Sequence, residues 1–177
     1  MITLSKSTTG DKLAGVCAIL LLITPFLKMW GKYSYEIDLF GVQQSESTGA
    51  ALIDGDAFTA IFAWLIVLAA LAAVGVFARR MTAGEPSDPS TLYMALGGAM
   101  FVLLLIMFLQ GPKDFAEIAG DLSGVDFEGL GGGVNLDTSR GILMFLGPLL
   151  ALGVVAGGFM TKNQASATGP VAPPAAA

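Results

Sequence analysis

The side chains that carry most enzyme chemistry are scarce in this chain of 177 residues. It has no histidine and a single cysteine, Cys17. Imidazole ligands, cysteine-based zinc or iron–sulfur sites, and Ser–His or Cys–His nucleophile pairs are therefore excluded. Cys17 lies inside an apolar run and is interpreted as a packing residue. We expect no catalytic site, no cofactor and no metal, and we predict that the protein is not an enzyme.

Acidic residues and a glycine run are the remaining candidates for a binding site. Asp54-Gly55-Asp56 and the group Asp121, Asp126 and Glu128 offer the oxygen atoms that calcium prefers, but neither has an EF-hand spacing. The run Gly131-Gly132-Gly133 lacks the Lys-Ser/Thr ending and the strand–loop–helix frame of a phosphate-binding loop. We interpret the carboxylates as helix caps and solvated charge, and the glycines as a flexible or closely packed loop.

Four runs without any acidic or basic residue decide the class of the protein. They are Leu13–Leu27, Ala57–Ala78, Leu92–Leu109 and Gly141–Thr161. About 20 apolar helical residues cross the ~30 Å hydrocarbon core of a bilayer. Met29 and Trp30 extend the first run past Lys28, whose amine can reach outward. The chain is also 54% hydrophobic and only 13% charged, against about 25% charged in soluble domains. The sequence predicts an all-α integral membrane protein, a four-transmembrane-helix bundle.

Basic residues predict how these helices are oriented. The predicted segments are a cytoplasmic N-terminus (1–12), helices at 13–30, 57–78, 92–110 and 141–161, outer loops at 31–56 and 111–140, a cytoplasmic loop at 79–91 and a flexible Ala/Pro-rich cytoplasmic tail at 162–177. Five basic residues then lie inside and four outside, and the pair Arg79-Arg80 directly follows the second helix. The first run ends without a small-x-small cleavage pattern, so we expect a retained helix and not a signal peptide. We expect a multi-pass protein of the cell (inner) membrane with both termini in the cytoplasm.

The two outer loops carry patterns of their own. Tyr33 to Leu39 alternate apolar and polar side chains, which predicts a half-buried β-strand. The other predicted elements are a turn at Gly41 and Gln43–Ser47, a returning strand at Thr48–Ile53, a short helix at Phe115–Leu122, a strand at Val134–Leu136, and helix caps at Asp56 and at Asp137–Ser139. We predict that strands from both loops pair as a small extracytoplasmic cap over the helix ends.

Small residues mark the candidate helix-packing and interface positions. They are Gly147, Ala151, Gly153, Gly157 and Gly158 in the last helix, Ala95, Gly97, Gly98 and Ala99 in the third, and Ala69 and Ala73 in the second. Small side chains let helix backbones approach closely within lipid. These faces either pack the chain's own bundle or dock a partner, and the two glycine faces of the last helix favour an additional partner. Pro25 and Pro148 are expected to kink the first and last helices.

Two resemblances follow from these patterns. A four-span chain with strand-forming residues Tyr33–Leu39 between its first two helices resembles the claudin and tetraspan-like architecture. Claudins carry a tryptophan and a cysteine pair in that loop, whereas this loop has no cysteine, so barrier function is not implied. The stretch Gly10–Trp30, with Thr138–Gly141 and Gly157-Gly158, resembles uncharacterised small four-span membrane proteins of high-GC, actinobacterial-type bacteria, which implies a bacterial membrane protein and no particular chemistry.

The predicted function is that of a non-catalytic accessory subunit of a membrane protein assembly. It would dock through its small-residue helix faces and its acidic outer loops. The expected partners are the lipid bilayer and other membrane subunits or a second copy, and the net charge of −5 predicts no nucleic-acid binding. The alternative is a small self-assembling channel or transporter with a hydrophobic pore. Because proton relays and ion paths place ionisable side chains within the spans, and the predicted helix interiors have none, the accessory role is favoured.

Overall fold

The computed structural model describes residues 7–39, 42–54, 57–83, 89–110 and 133–167. Within them lie the helices α1 (Thr9–Ile23), α2 (Ala57–Ala83), α3 (Ser90–Gln110) and α4 (Leu143–Ala167), and the strands β1 (Gly31–Leu39), β2 (Val42–Ala50) and β3 (Gly133–Arg140). Single 3₁₀ turns span Thr24–Phe26 and Leu52–Asp54. The four helices, counting the Thr24–Phe26 turn with α1, are long and apolar enough to cross a membrane. The predicted bundle of apolar helices with a small sheet is therefore confirmed.

Helix α1 begins earlier and ends earlier than the predicted span 13–30. Thr8 caps its N-terminus in a reciprocal capping box with Asp11, so the helix starts at Thr9. At the other end Pro25 has no N–H to donate, and the chain tightens into the 3₁₀ turn Thr24–Phe26, in which Thr24 keeps helical dihedral angles. The chain consequently leaves the α-helix after Ile23. Met29 and Trp30 do not extend the helix; they form the turn that leads into β1.

The helices form a ring in which each one packs against two neighbours. Helix α4 packs against α1 and α3, and α2 packs against the same two helices from the other side. The interior is apolar along most of its length, with fully or almost fully buried Ala14, Ala18, Leu21, Ile66, Ala70, Met100, Leu104, Ala151 and Val154. The outward surface is apolar too, with exposed Val16, Ile61, Leu68, Val102, Leu149 and Phe159 among others. Helices that are apolar both inside and outside are typical of membrane spans.

The strands form one antiparallel sheet in the order β2-β1-β3. Leu39 pairs with Val42 across the β1–β2 hairpin, and Gly31 pairs with both Ala50 and Arg140. The predicted pairing of strands from the two loops is thus confirmed. The turn predicted at Gln43–Ser47 is wrong because these residues belong to β2 and pair with Ser34–Asp38 of β1; Gly41 lies outside the described residues.

Of the remaining predictions for the two outer loops, one is wrong and three fall outside the described residues. Asp137–Ser139 do not cap the last helix, since they pair with β1 as part of β3 and α4 begins at Leu143. The predicted short helix at Phe115–Leu122, the cap at Asp56, and the acidic group at 121–128 lie outside the described residues.

Trp30 connects the sheet to the helix bundle through hydrogen bonds and a buried ring. Its backbone N–H donates to the Ala50 carbonyl at 3.1 Å, and its carbonyl accepts the Gly141 N–H at 2.8 Å. Its indole Nε1–H donates to the carbonyl of Thr24. The ring is only 3% exposed and lies against Gly147 of α4, where a methyl group would come within 2.8 Å of it. Trp30 therefore closes the end of the bundle that carries the sheet.

Replacing Trp30 with phenylalanine is expected to destabilise the protein by about 1–2 kcal/mol. The change removes the indole hydrogen bond and part of a buried ring. Thermal unfolding in a mild detergent would measure the loss. Trp64→Phe is the matched control, because Trp64 is 53% exposed and the expected change there is within about 0.5 kcal/mol. Equal stability of the two variants would contradict the role given to Trp30.

Candidate functional site

The most unusual polar group of the described bundle is Asp11, whose side chain is 0% exposed. It lies in the first turn of α1. The last turns of α2 and α4 and the first turn of α3 lie at the same end of the bundle, opposite the sheet. Isolated carboxylates are rarely buried, because losing water costs several kcal/mol unless partners compensate. The partners of Asp11 therefore define what this end of the molecule does.

The first partner is Thr8, the cap of α1. The Thr8 backbone N–H donates to Asp11 Oδ2 at 3.0 Å, and the Thr8 hydroxyl donates to the same oxygen at 2.9 Å. In return the Asp11 backbone N–H donates to Thr8 Oγ1 at 3.1 Å. A carboxylate in the first turn of a helix also interacts favourably with the helix dipole. These contacts fix the carboxylate and the start of α1 together.

The second partner, Thr161, joins this cap to α4. Its hydroxyl lies 3.4 Å from Asp11 Oδ1, 3.3 Å from Thr8 Oγ1 and 3.0 Å from the Gly157 carbonyl. The single hydroxyl hydrogen thus has three acceptors within reach, the nearest being the carbonyl one turn earlier in α4. Thr161 is itself only 1% exposed. The polar contact between α1 and α4 is therefore sealed from solvent.

The third partner is Arg80 in the last turn of α2. Its Nε lies 4.0 Å from Asp11 Oδ2, which is an ion-pair distance and too long for a hydrogen bond. The Arg80 side chain remains 20% exposed, so part of the guanidinium stays near solvent. Tyr93 of α3 is fully buried and lies within electrostatic range of both charges. We call Thr8, Asp11, Arg80, Tyr93 and Thr161 the polar cluster; it draws one residue from each of the four helices and one, Thr8, from the cap of α1.

The chemistry available to the polar cluster is limited. The carboxylate of Asp11 is occupied by hydroxyl and amide donors and faces a cation, an arrangement suited to holding helices together. Among the residues that the structure describes, no group of three or more Cys, Asp or Glu side chains could hold a metal ion. The apolar interior begins one turn away, at Ala14 and Ala18. The polar cluster thus stops at one end and does not continue through the described bundle.

The polar cluster corrects the expectation that no ionisable side chain lies within the helices. That expectation took the first helix to begin at Leu13, the start of the uncharged run. The sequence holds the missing signal: Thr8-x-x-Asp11 before an apolar run is a capping-box pattern, and it moves the helix start to Thr9. Arg80, one of the basic residues that predict the orientation of the helices, forms an ion pair with Asp11.

The small residues of α4 are used within the chain. A methyl group at Gly157 would lie 2.6 Å from the Ala14 nitrogen of α1, and one at Gly158 would lie 2.8 Å from the Ser90 oxygen of α3. Three further glycines are also closely covered by other parts of the chain. Gly153 lies against Cys17, Gly147 against Trp30, and Gly97 of α3 against Val155 and Ala151. Ala151 and Ala73 are fully buried, and Ala69 is partly buried against the core. Both glycine faces of α4 therefore pack against the chain's own helices and are not available to an additional partner.

A different small-residue face remains uncovered. Ala95 and Ala99 of α3 are exposed, and a methyl group at Gly98 would meet nothing within 4 Å. These three residues lie on one face, because positions three and four apart are neighbours on a helix. We call Ala95, Gly98 and Ala99 the α3 outer face. Of the candidate interface positions, these are the three that the bundle does not cover.

Comparison with protein-family models gave no match for this chain. Comparison with curated proteins gave none either. Its function therefore has to be inferred from its own side chains.

Proposed function

We propose that this protein is a non-catalytic accessory subunit of a membrane assembly, resident in the cell membrane with both termini in the cytoplasm. The observation that carries the proposal is the α3 outer face. The other candidate small residues of α3 and α4 pack against neighbouring parts of the chain, whereas Ala95, Gly98 and Ala99 are left open. The hydrophobic effect does not drive helices together within lipid, because the lipid tails are as apolar as the side chains. Close packing of backbones at small residues is therefore a principal source of helix association.

The arrangement of polar groups agrees with a docking role. The polar cluster is confined to one end of the bundle, and Thr8, Thr161 and Arg80 each contact Asp11. The described interior between the polar cluster and Trp30 is apolar. Such a bundle offers a rigid, packed body with an outward apolar surface, which suits a subunit that binds neighbouring helices.

The predicted partner is a transmembrane helix seated on the α3 outer face. Replacing Gly98 with leucine would place a branched side chain at the centre of this face, and we expect partner recovery after mild-detergent purification to fall at least fivefold. Affinity purification followed by quantitative mass spectrometry would measure it. The matched control is Gly75→Leu on α2, because a methyl group at Gly75 also meets nothing within 4 Å.

The controls separate the possible outcomes. Gly75 lies eight residues before the end of α2 and Gly98 eight residues after the start of α3, so both substitutions sit at the same depth. Equal recovery of partners with Gly98→Leu and the unaltered chain would contradict the docking face. Recovery of the chain alone, in a single stoichiometry that Gly98→Leu abolishes, would identify the partner as a second copy. A monomer without partners would refute the proposal.

A further inference from the structure

The two adjacent arginines at the end of α2 have different surroundings. Arg80 turns toward Asp11 inside the polar cluster. Arg79 is exposed, and among the described residues its guanidinium pairs with no carboxylate. Successive side chains on a helix point about 100° apart. Arg80 can therefore face the bundle interior while the adjacent Arg79 faces outward. Among the described residues, Arg79 is thus a cation without a carboxylate partner.

Below Arg79 the surface of α2 is apolar and indented. Gly75 and Ala72 precede Arg79 by four and seven residues, so the three lie on one face. All three are exposed, and no other part of the described chain comes within 4 Å of a methyl group placed at Gly75. Further along the same helix the exposed side chains are large, namely Leu68, Leu65, Trp64 and Ile61. The small residues therefore make a notch directly beneath an exposed guanidinium.

The described residues of this end of the molecule also carry a net positive charge. Its described charged residues are four cations, Lys12, Arg79, Arg80 and Lys162, and one carboxylate, Asp11. The described residues of the sheet end carry three cations, Lys28, Lys32 and Arg140, against five carboxylates, Glu36, Asp38, Glu46, Asp54 and Asp137. Basic residues at a membrane surface attract anionic lipids, and a guanidinium can bind a phosphate through two parallel hydrogen bonds.

We propose that Arg79, Gly75 and Ala72 form a binding site for one anionic phospholipid. Arg79 binds the phosphate of the headgroup, and an acyl chain lies in the notch over Gly75 and Ala72. The charge complementarity favours a lipid over a partner helix here, because the cation sits at the helix end where headgroups lie and the notch continues into the apolar span. This inference rests on the membrane residence proposed above and is independent of docking through the α3 outer face.

The test is a lipid titration of the purified full chain in mild detergent, followed by native mass spectrometry. Phosphatidylglycerol and phosphatidylcholine with identical acyl chains are the two probes. We expect phosphatidylglycerol to bind about fivefold more tightly, the contribution of about one basic side chain near an anionic surface. Arg79→Ala should abolish this preference, whereas Lys162→Ala, with the same change of charge on α4, should leave it intact.

Two further variants test the notch itself. Gly75→Leu should reduce phosphatidylglycerol binding at least threefold, and Gly98→Leu should not change it, the reverse of their expected effects on partner recovery. Equal binding of the two lipids would overturn the site, as would equal effects of Arg79→Ala and Lys162→Ala. Competition by millimolar inorganic phosphate as effective as that by phosphatidylglycerol would show recognition of a free anion and would likewise overturn it. Because only Gly98→Leu tests docking, failure of the lipid site and failure of the proposed function can be told apart.

Discussion

Replacing Gly157 with leucine is expected to destabilise the protein by about 3 kcal/mol, through overpacking of the seam between α1 and α4. A methyl group at this position would lie 2.6 Å from the Gly10 oxygen and the Ala14 nitrogen. These are backbone atoms of a neighbouring helix, so no side-chain rotation relieves the clash and α1 must move away. For a domain of this size the midpoint of thermal unfolding would fall by roughly 6–12 °C.

Cys17 provides the measurement for this prediction. It is the only cysteine of the chain, it is buried, and it contacts Gly153 in the same seam. A thiol-reactive fluorescent dye should therefore label Gly157→Leu at a lower temperature than the unaltered protein. Gly98→Leu is the matched control, since the added side chain points away from the bundle and the expected change is within about 0.5 kcal/mol. If both variants were labelled at the same temperature, the described α1–α4 packing would be incorrect.

The parts of the fold that the sequence predicts correctly depend on local patterns. Long uncharged runs identify the four helices because a helix that spans lipid needs about 20 predominantly apolar residues. The alternation in Tyr33–Leu39 identifies β1 because successive strand residues face opposite sides. Even the pairing of strands from two loops is predictable, since both loops meet at the same end of an antiparallel bundle.

The parts that it misses depend on contacts between distant segments. The returning strand predicted at Thr48–Ile53 begins earlier and ends at Ala50, before the 3₁₀ turn at Leu52–Asp54. Its first part, Val42–Ser47, is strongly polar, and its strand conformation comes from pairing with β1, a contact that polar composition does not reveal. The glycines of α4 and the residues Ala95, Gly98 and Ala99 look equivalent in sequence. Only the packing of the helices distinguishes the covered faces from the open one. Burial of Asp11 likewise requires α2 and α4 to bring Arg80 and Thr161 to the start of α1.

The polar cluster gives the second large prediction. Arg80→Ala should destabilise the protein by about 2–3 kcal/mol, because it removes the only described cation that faces the buried Asp11 carboxylate. In the folded protein the carboxylate has no contact with solvent, since its side chain is 0% exposed. Arg79→Ala is the matched control: it makes the same chemical change one residue earlier, on an exposed side chain, and should alter stability by no more than about 0.5 kcal/mol.

A double variant tests whether the loss comes from the charge of Asp11. Asp11→Asn removes the negative charge and keeps an oxygen that can accept the Thr8 donors, so it should itself cost about 1 kcal/mol. Combined with Arg80→Ala, it should cost at least about 1 kcal/mol less than the sum of the two single changes, because no unpaired charge is then buried. Unfolding followed by Cys17 labelling would measure all four proteins under one condition. Strict additivity would mean that Arg80 stabilises α2 by packing its aliphatic stem, and that the 4.0 Å ion pair contributes nothing.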